Sequence, residues 1–348
     1  MSDPLKNGTK TLQDFGVGTV EEPAVGTPRF VVIGCGGAGC SIVDRVAGFG
    51  FGAVTTIAID TDREDLRFTH AGRKILLGNG LYRGWREGDP RESALALSGI
   101  QEEMGSFLRP DDVVLVVAGL GGGAGSGTAP VIAEIAKKKG AFVLGIISLS
   151  FAIQQKWINQ GMESLANLLR HSESVIVIDN EQFRQRYQNE PVPVAYEKAD
   201  ELMLGVIRGL VTVLTEPCLI ECPPDDFYAL FRNRGLAMVL DGESVICPER
   251  PEDSVVRRCW SSPSLDIDFR KATGCFILIT AGIDICLCDT EQIATSLTYE
   301  LDPHADVVWS AMVERPLEGR VRVFAIMTGI PQEGRNIHFY KFLPGSDR

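Results

Sequence analysis

From residue 29 onward, short runs of Val, Ile and Leu alternate with longer mixed segments. FVVIG (30–34) predicts a buried strand, and 41–49 a helix with Ile42, Val43 and Val46 on one face. TTIAID (55–60) and DVVLVVAGL (112–120) predict further strands, then come a helix at 129–139 and a strand at 141–149. SVIVID (174–179) closes the series. Near-continuous apolar strands separated by helices predict a parallel sheet covered on both faces. A long helix follows over about 194–214, with Tyr196, Ala199, Met203, Val206, Leu210 and Leu214 at spacings of three and four, the signature of one buried stripe. Glu216-Pro217 stops it. Beyond lie strand-like segments at 275–281, 306–312 and 320–329 around a helix near 291–301, the pattern of a smaller α+β domain.

The pattern divides the chain into a flexible extension (1–28), an α/β domain (29–193), a central helix (194–216), an α+β domain (217–330) and a short tail (331–348). The length of 348 residues is enough for two cores. A net charge of −12 leaves no basic footprint, which argues against nucleic acid or an anionic membrane surface as partner. No apolar run reaches the ~20 residues of a membrane span. Nine cysteines and a polar first decad, MSDPLKNGTK, point to reduced thiols and a cytoplasmic setting. Cys286 and Cys288 form the one close cysteine pair, and His70, His171, His304 and His338 are far apart, so no metal site is expected.

Two glycine-rich segments follow predicted strands. GCGGAGCS (34–41) sits between the first strand and helix, where glycines let a backbone approach an anion and a helix start supplies N–H groups. Alone it overlaps the dinucleotide fingerprint and suits an NAD-dependent oxidoreductase. GLGGGAGSGTAP (119–130) has six glycines between Gly119 and Gly127. A structural turn needs one or two, whereas a nest of amides around phosphate oxygens needs many. Neither segment ends in the G-K-[ST] of a P-loop. IAIDTD (57–62) lies at another strand end, where Asp60 and its neighbours suit a ribose, a base or a Mg²⁺-bound water.

VVIGCGGAG, AIDTD, GLGGGAGSGTAP and AYEKADE, in this order, resemble the nucleotide loops of the FtsZ/tubulin superfamily, in the manner of a divergent, archaeal-like FtsZ paralogue. The likeness covers about 30–330 and includes WSSPSLDIDFRKATGCFILITAG (260–282). It implies a Rossmann-like parallel-sheet GTP-binding domain, a central helix, an α+β C-terminal domain and head-to-tail filaments. GTP or GDP is the implied ligand, with Mg²⁺ as a candidate companion. By position Gly36, Gly37, Ala38, Gly39, Cys40 and Ser41 wrap the phosphates, with Asp60 nearby. Gly121, Gly122, Gly123, Ala124, Gly125, Ser126 and Gly127 form the signature loop. Asn180 and Asp200 match positions that read the nucleoside, and Tyr196 stands where an aromatic ring stacks on guanine, unless it is a plain packing residue. An Asp can accept from guanine N1–H and the exocyclic amine together.

The departures concern mainly turnover. Ala124 and Ser126 replace threonines in the signature loop, the region 81–92 is short, and the segment after Phe151 lacks an expected Glu and Arg, with Lys156 as a substitute candidate. In the family an N-x-D-x-x-D loop completes the neighbouring subunit's active site. Here it falls on ECPPDD (221–226). Glu221 stands for the Asn, Pro223 for the first Asp and Asp226 for the second, with Asp225 beside it. Pro223 cannot accept a proton, and a solvated acidic turn is the alternative reading of the three carboxylates. The resemblance thus implies a GTP-binding filament protein of weakened hydrolysis, or a non-hydrolysing regulator that caps or copolymerises with an active FtsZ. Its partner is a second copy or such a relative. The short tail, with Phe339, Tyr340 and Phe342, argues against a membrane tether.

Overall fold

The computed structural model describes residues 28–51, 54–78, 89–149, 155–245 and 251–331. The expectations for the extension up to residue 27, the loop at 81–88, the segment 151–154 and the tail from 332 lie outside the described residues. The chain divides into two compact units, Met1–Ser172 and Glu173–Arg348.

The first unit holds β1 (Phe30–Cys35), β2 (Val54–Asp60), β3 (Arg73–Leu76), β4 (Val113–Leu120) and β5 (Phe142–Leu149). They are parallel and ordered β3-β2-β1-β4-β5. Every residue of β1 is buried, and so is every residue of β4 but Gly119, as helices on both faces of a parallel sheet require. Those helices are α1 (Gly36–Gly48), α2 (Arg63–Phe68), α3 (Pro90–Ser98), α4 (Gln101–Ser106), α5 (Gly123–Lys138) and α6 (Gln155–His171). Strand order reverses at the β1/β4 pair, the place where loops diverge and ligands bind in such sheets. The register sets Cys35 opposite both Ile59 and Ala118, so β1, β2 and β4 end level at one edge. At the opposite edge Arg29 donates to both oxygens of buried Asp112 (2.7 and 2.6 Å) and to the Phe107 carbonyl (3.0 Å).

The helices α1 and α5 begin at Gly36 and Gly123, well before the expected 41 and 129. Glycine has low helix propensity, so the pattern placed these turns in loops; tertiary packing overrides the preference.

The second unit contains β6 (Ser174–Asp179), α7 (Asn180–Arg186), α8 (Val192–Thr215), α9 (Pro224–Phe231), β7 (Gly235–Val245), α10 (Pro251–Trp260), β8 (Gly274–Ala281), α11 (Leu287–Thr298), β9 (Asp306–Val313) and β10 (Arg320–Thr328). Its strand order is β6-β7-β10-β8-β9, with β6/β7 and β8/β9 parallel and both β10 pairings antiparallel. The long helix α8 buries Ala199, Met203, Val206 and Leu210 as the spacing predicts, and also Ile207, Val211 and Val213. Its C-terminal half is therefore enclosed more widely than one stripe. Phe227 and Phe231 of α9 pack with Phe276 of β8, ring centroids 4.9–6.3 Å apart. The parallel α/β first unit and mixed α+β second unit correspond to the expected fold class.

Candidate functional site

β1 runs straight into α1, and β4 into α5 through Gly121 and Gly122 alone. The two helix starts are packed backbone to backbone. Gly36 has φ +71°, and a Cβ there would stand 2.6 Å from the Gly125 nitrogen. A Cβ on Gly125 would stand 2.5 Å from the Gly119 oxygen. Glycine density in the signature loop therefore has two causes: close approach at such positions, and the φ of +118° at Gly121. The cap residues Cys35 and Gly122 make no side-chain cap, and neither first turn contains an acidic residue. First-turn amides have no intrahelical partner. Two positive helix ends therefore face the switch-point edge side by side, an arrangement suited to an anion.

The side chains named from the sequence have distinct placements. Ala38 and Ser41 are exposed, Gly37 is half-buried, and Gly36 and Gly39 are buried. Cys40 is buried beneath the loop, its thiol directed to the carbonyls of Ile59 (3.6 Å) and Gly34 (3.9 Å). Burial pushes it well above the usual thiol range, so its contribution to ligand binding is limited to its backbone. Ala124 and Ser126 are buried as well. The Ser126 hydroxyl accepts from the Gly121 N–H at 2.8 Å, which fixes the loop's shape.

Asp60 ends β2 and is buried. Its Oδ1 accepts from the N–H groups of Thr61 (2.6 Å) and Asp62 (3.1 Å). Its Oδ2 is buried without a hydrogen-bond partner. That oxygen lies 3.9 Å, and Asp65 Oδ2 2.8 Å, from where a Cβ on Gly37 would stand. Burial, only partly offset by the two N–H donors, raises Asp60 to about 6. A buried, unsatisfied carboxylate oxygen beside an anion cradle fits a donor on a ligand, or a hydrated cation.

In the second unit Asp179 ends β6 in a similar way. It caps α7 by accepting from the Glu181 N–H at 2.9 Å, and burial raises it to about 6. Asn180 opens α7, buried, with Oδ1 lacking a partner. Tyr196 and Asp200 are one turn apart on α8, both half-buried, and α8 packs against α7.

ECPPDD is held at its start by β9. Ala311 O accepts from the N–H groups of Leu219 (2.7 Å) and Ile220 (3.1 Å), and the Ser310 hydroxyl donates to Ile220 O at 2.6 Å. Pro223 caps α9 and Pro224 opens it. Glu221, Asp225 and Asp226 are exposed, the last two in the first turn of α9, where the helix dipole favours acids whatever else they do. Buried Cys222 between them is raised to about 11, by desolvation first and then by Asp226.

Two residues on α6 escaped the sequence reading. Gln160 donates to the carbonyls of Gly121 (3.1 Å) and Gly122 (2.9 Å), and the Ser164 hydroxyl donates to the Ser126 carbonyl. The available signal was their i,i+4 spacing beside Gly161, which says nothing about the loop 39 positions upstream. Lys156 lies on α6 too, exposed. Among the described residues no helix is long and apolar enough to cross a membrane, and no group of three or more His, Cys, Asp or Glu is arranged to hold a metal.

Comparison with known proteins gives the same reading. The tubulin/FtsZ family GTPase-domain model matches residues 29–188, and the FtsZ family C-terminal-domain model matches 235–331. Cell division protein FtsZ 2 of Methanocaldococcus jannaschii is 38% identical over 311 residues, covering 88% of this chain and 81% of that protein. The empty FtsZ dimer of M. jannaschii superposes with a TM-score of 0.80 at 35% identity, covering 87% of this chain and 88% of that one. CetZ2 from Haloferax volcanii, solved as a GTPγS-bound protofilament, gives a TM-score of 0.75 at 25% identity, covering 90% and 96%. This chain therefore belongs to the FtsZ family, among the tubulin-like, GTP-binding proteins of cell division.

Proposed function

We propose that this chain binds GTP and assembles head to tail into filaments, in cell division or a related cytoskeletal role, with hydrolysis slowed by Pro223. The observation that carries the binding half is the pair of uncapped helix starts, α1 and α5, interlocked at the switch-point edge. In this reading the amides of 36–41 and 121–127 hold the phosphates. The unpartnered oxygen of Asp60 takes a ribose hydroxyl or a water of Mg²⁺, whose chemistry is to neutralise phosphate charge. Asn180 and Asp200 read the nucleoside and Tyr196 stacks on it, which agrees with the unsatisfied Asn180 Oδ1. The dimer and protofilament seen for two relatives support self-association.

Turnover depends on a neighbouring copy's acidic loop. Glu221, Asp225 and Asp226 are solvent-exposed, free to orient a water in the next molecule and hold its proton. Pro223 contributes no side-chain acceptor and fixes the backbone. Loss of one general base is worth on the order of 10²–10⁴ in rate. The same exposed, proline-braced loop supports a second reading, a GTP-bound regulator that does not hydrolyse and caps or copolymerises with an active relative. Family membership leaves the oxidoreductase reading without support. The cytoplasm is the compartment this function requires.

Sedimentation and phosphate release with GTP, for the chain alone and mixed with an active FtsZ, test both readings. Pelleting alone with slow phosphate release supports the first, and pelleting only in the mixture supports the second. A turnover equal to that of a fully active relative, on filaments of this chain alone, refutes weakened hydrolysis.

A further inference from the structure

The signature loop carries three consecutive glycines, Gly121, Gly122 and Gly123. Such a run has no strong intrinsic preference for one backbone orientation. An anion cradle nevertheless works best when its amides are aimed before the anion arrives. Ser126, inside the loop, fixes only the Gly121 N–H; something outside it has to hold the carbonyls of Gly121 and Gly122.

The helix α6 does so. The Gln160 carboxamide nitrogen donates to two successive carbonyls, Gly121 at 3.1 Å and Gly122 at 2.9 Å. One turn on, Ser164 donates to the Ser126 carbonyl, and the Ser126 hydroxyl accepts from the Gly121 N–H. Gly161 allows the approach, since a Cβ there would stand only 3.3 Å from the Gly121 nitrogen. In a trans peptide the C=O and N–H point in opposite directions. With the Gly121 and Gly122 carbonyls held towards α6, the N–H groups of Gly122 and Gly123 are directed away from it.

We propose that Gln160, assisted by Ser164, is a positioning residue for phosphate binding: it locks the triple-glycine peptides so that their amides face the phosphate oxygens. This rests on the GTP-binding reading above. It implies that the phosphate share of the affinity, and not the nucleoside share, depends on a side chain of α6.

The test uses the full chain carrying Gln160→Met, nearly isosteric but without N–H donors, and Ser164→Ala as a milder second variant. GTP, GDP and guanosine affinities are titrated, thermal unfolding is recorded, and hydrogen exchange of peptides spanning 119–127 is followed without nucleotide. Gln160→Met is expected to weaken GTP and GDP at least tenfold, change guanosine less than twofold, speed exchange in 119–127 and leave the unfolding temperature in place. Ser164→Ala gives the same pattern at two- to threefold. Unchanged GTP and GDP affinity with unchanged exchange overturns the proposal. So does a parallel loss for all three ligands, which marks a merely structural role. If the folded wild type binds none of them, the GTP reading fails instead. The clamp is then judged on exchange alone, faster supporting it and unchanged overturning it.

Discussion

At the ends of β1 and β4 the chain places backbone where no side chain fits, and that backbone is buried. At the start of α9 it does the reverse: three carboxylates stand in solvent on a backbone fixed by Pro223 and Pro224. In the proposed function the first region binds through main-chain amides, so a side chain added there disturbs binding and packing alike. In the same proposal the second acts through exposed side chains whose loss costs the fold of its own unit little. A side chain added at the first region costs folding and binding together, whereas change at the second acts mainly on the proposed rate and little on stability. Under the proposed function, that asymmetry lets Pro223 slow hydrolysis and leave GTP binding in place.

Gly36→Ala is the strongest challenge to this contrast. The substitution meets a positive φ and a 2.6 Å approach to the Gly125 nitrogen, so stability should fall by about 2–4 kcal/mol. GTP affinity should fall at least a hundredfold with it. Urea unfolding and nucleotide titration check both, and a variant of native stability would break the link between cradle and core. Pro223→Asp tests the opposite pole. Phosphate release should rise about 10- to 100-fold, part of what a general base supplies, with GTP affinity within twofold of the wild type.

Asp60→Asn sharpens the electrostatic side. Burial holds Asp60 near 6, above its unfolded value of about 3.9. The folded protein thus keeps a proton that the unfolded chain releases between about pH 4 and 6. Stability declines as pH rises through that window, and the cost persists at neutral pH. The Asn variant should be more stable than the nucleotide-free wild type by roughly 2–3 kcal/mol at pH 7, with the difference vanishing near pH 4. Asp179 shifts in the same direction but is present in both proteins, so the difference in denaturant midpoint isolates Asp60. The smallest expected effect belongs to Asp225→Asn, which should cost about 0.3–1 kcal/mol through the α9 dipole. Phosphate release should fall as well, by about three- to tenfold as one of three carboxylates is lost, and an unchanged rate would make Asp225 a first-turn charge alone.

Legibility from the sequence followed local chemistry. Strands β1, β2, β4, β5 and β6 were readable to within a residue, because short β-branched runs bounded by turn residues favour a buried pleat. β7 lacks a continuous apolar signal because Asp241, Gly242 and Glu243 break off its run. Its reasons are distant: Glu243 pairs with Arg320 and Arg322, and a Cβ on Gly242 would meet the Cys259 sulfur at 2.7 Å. The α11 region was placed four residues late, since the first turn of the helix, opening on Leu287-Cys288-Asp289, carries little periodic signal.

By itself the sequence carried the family and its ligand class, and it located the proline on which the proposed slow hydrolysis rests. Glycine density, a carboxylate at a strand end and a proline in an acidic loop are properties of single residues and short spacings. Only the tertiary structure decided which glycines are cradle and which are packing, that Cys40 faces the sheet, and that Asp60 and Asn180 each bury an unpartnered oxygen. The orientation of a peptide plane and the solvation of a carboxylate depend on atoms that the chain brings in from far away. Gln160, 39 residues beyond Gly121, holds a loop whose composition gives no sign of it.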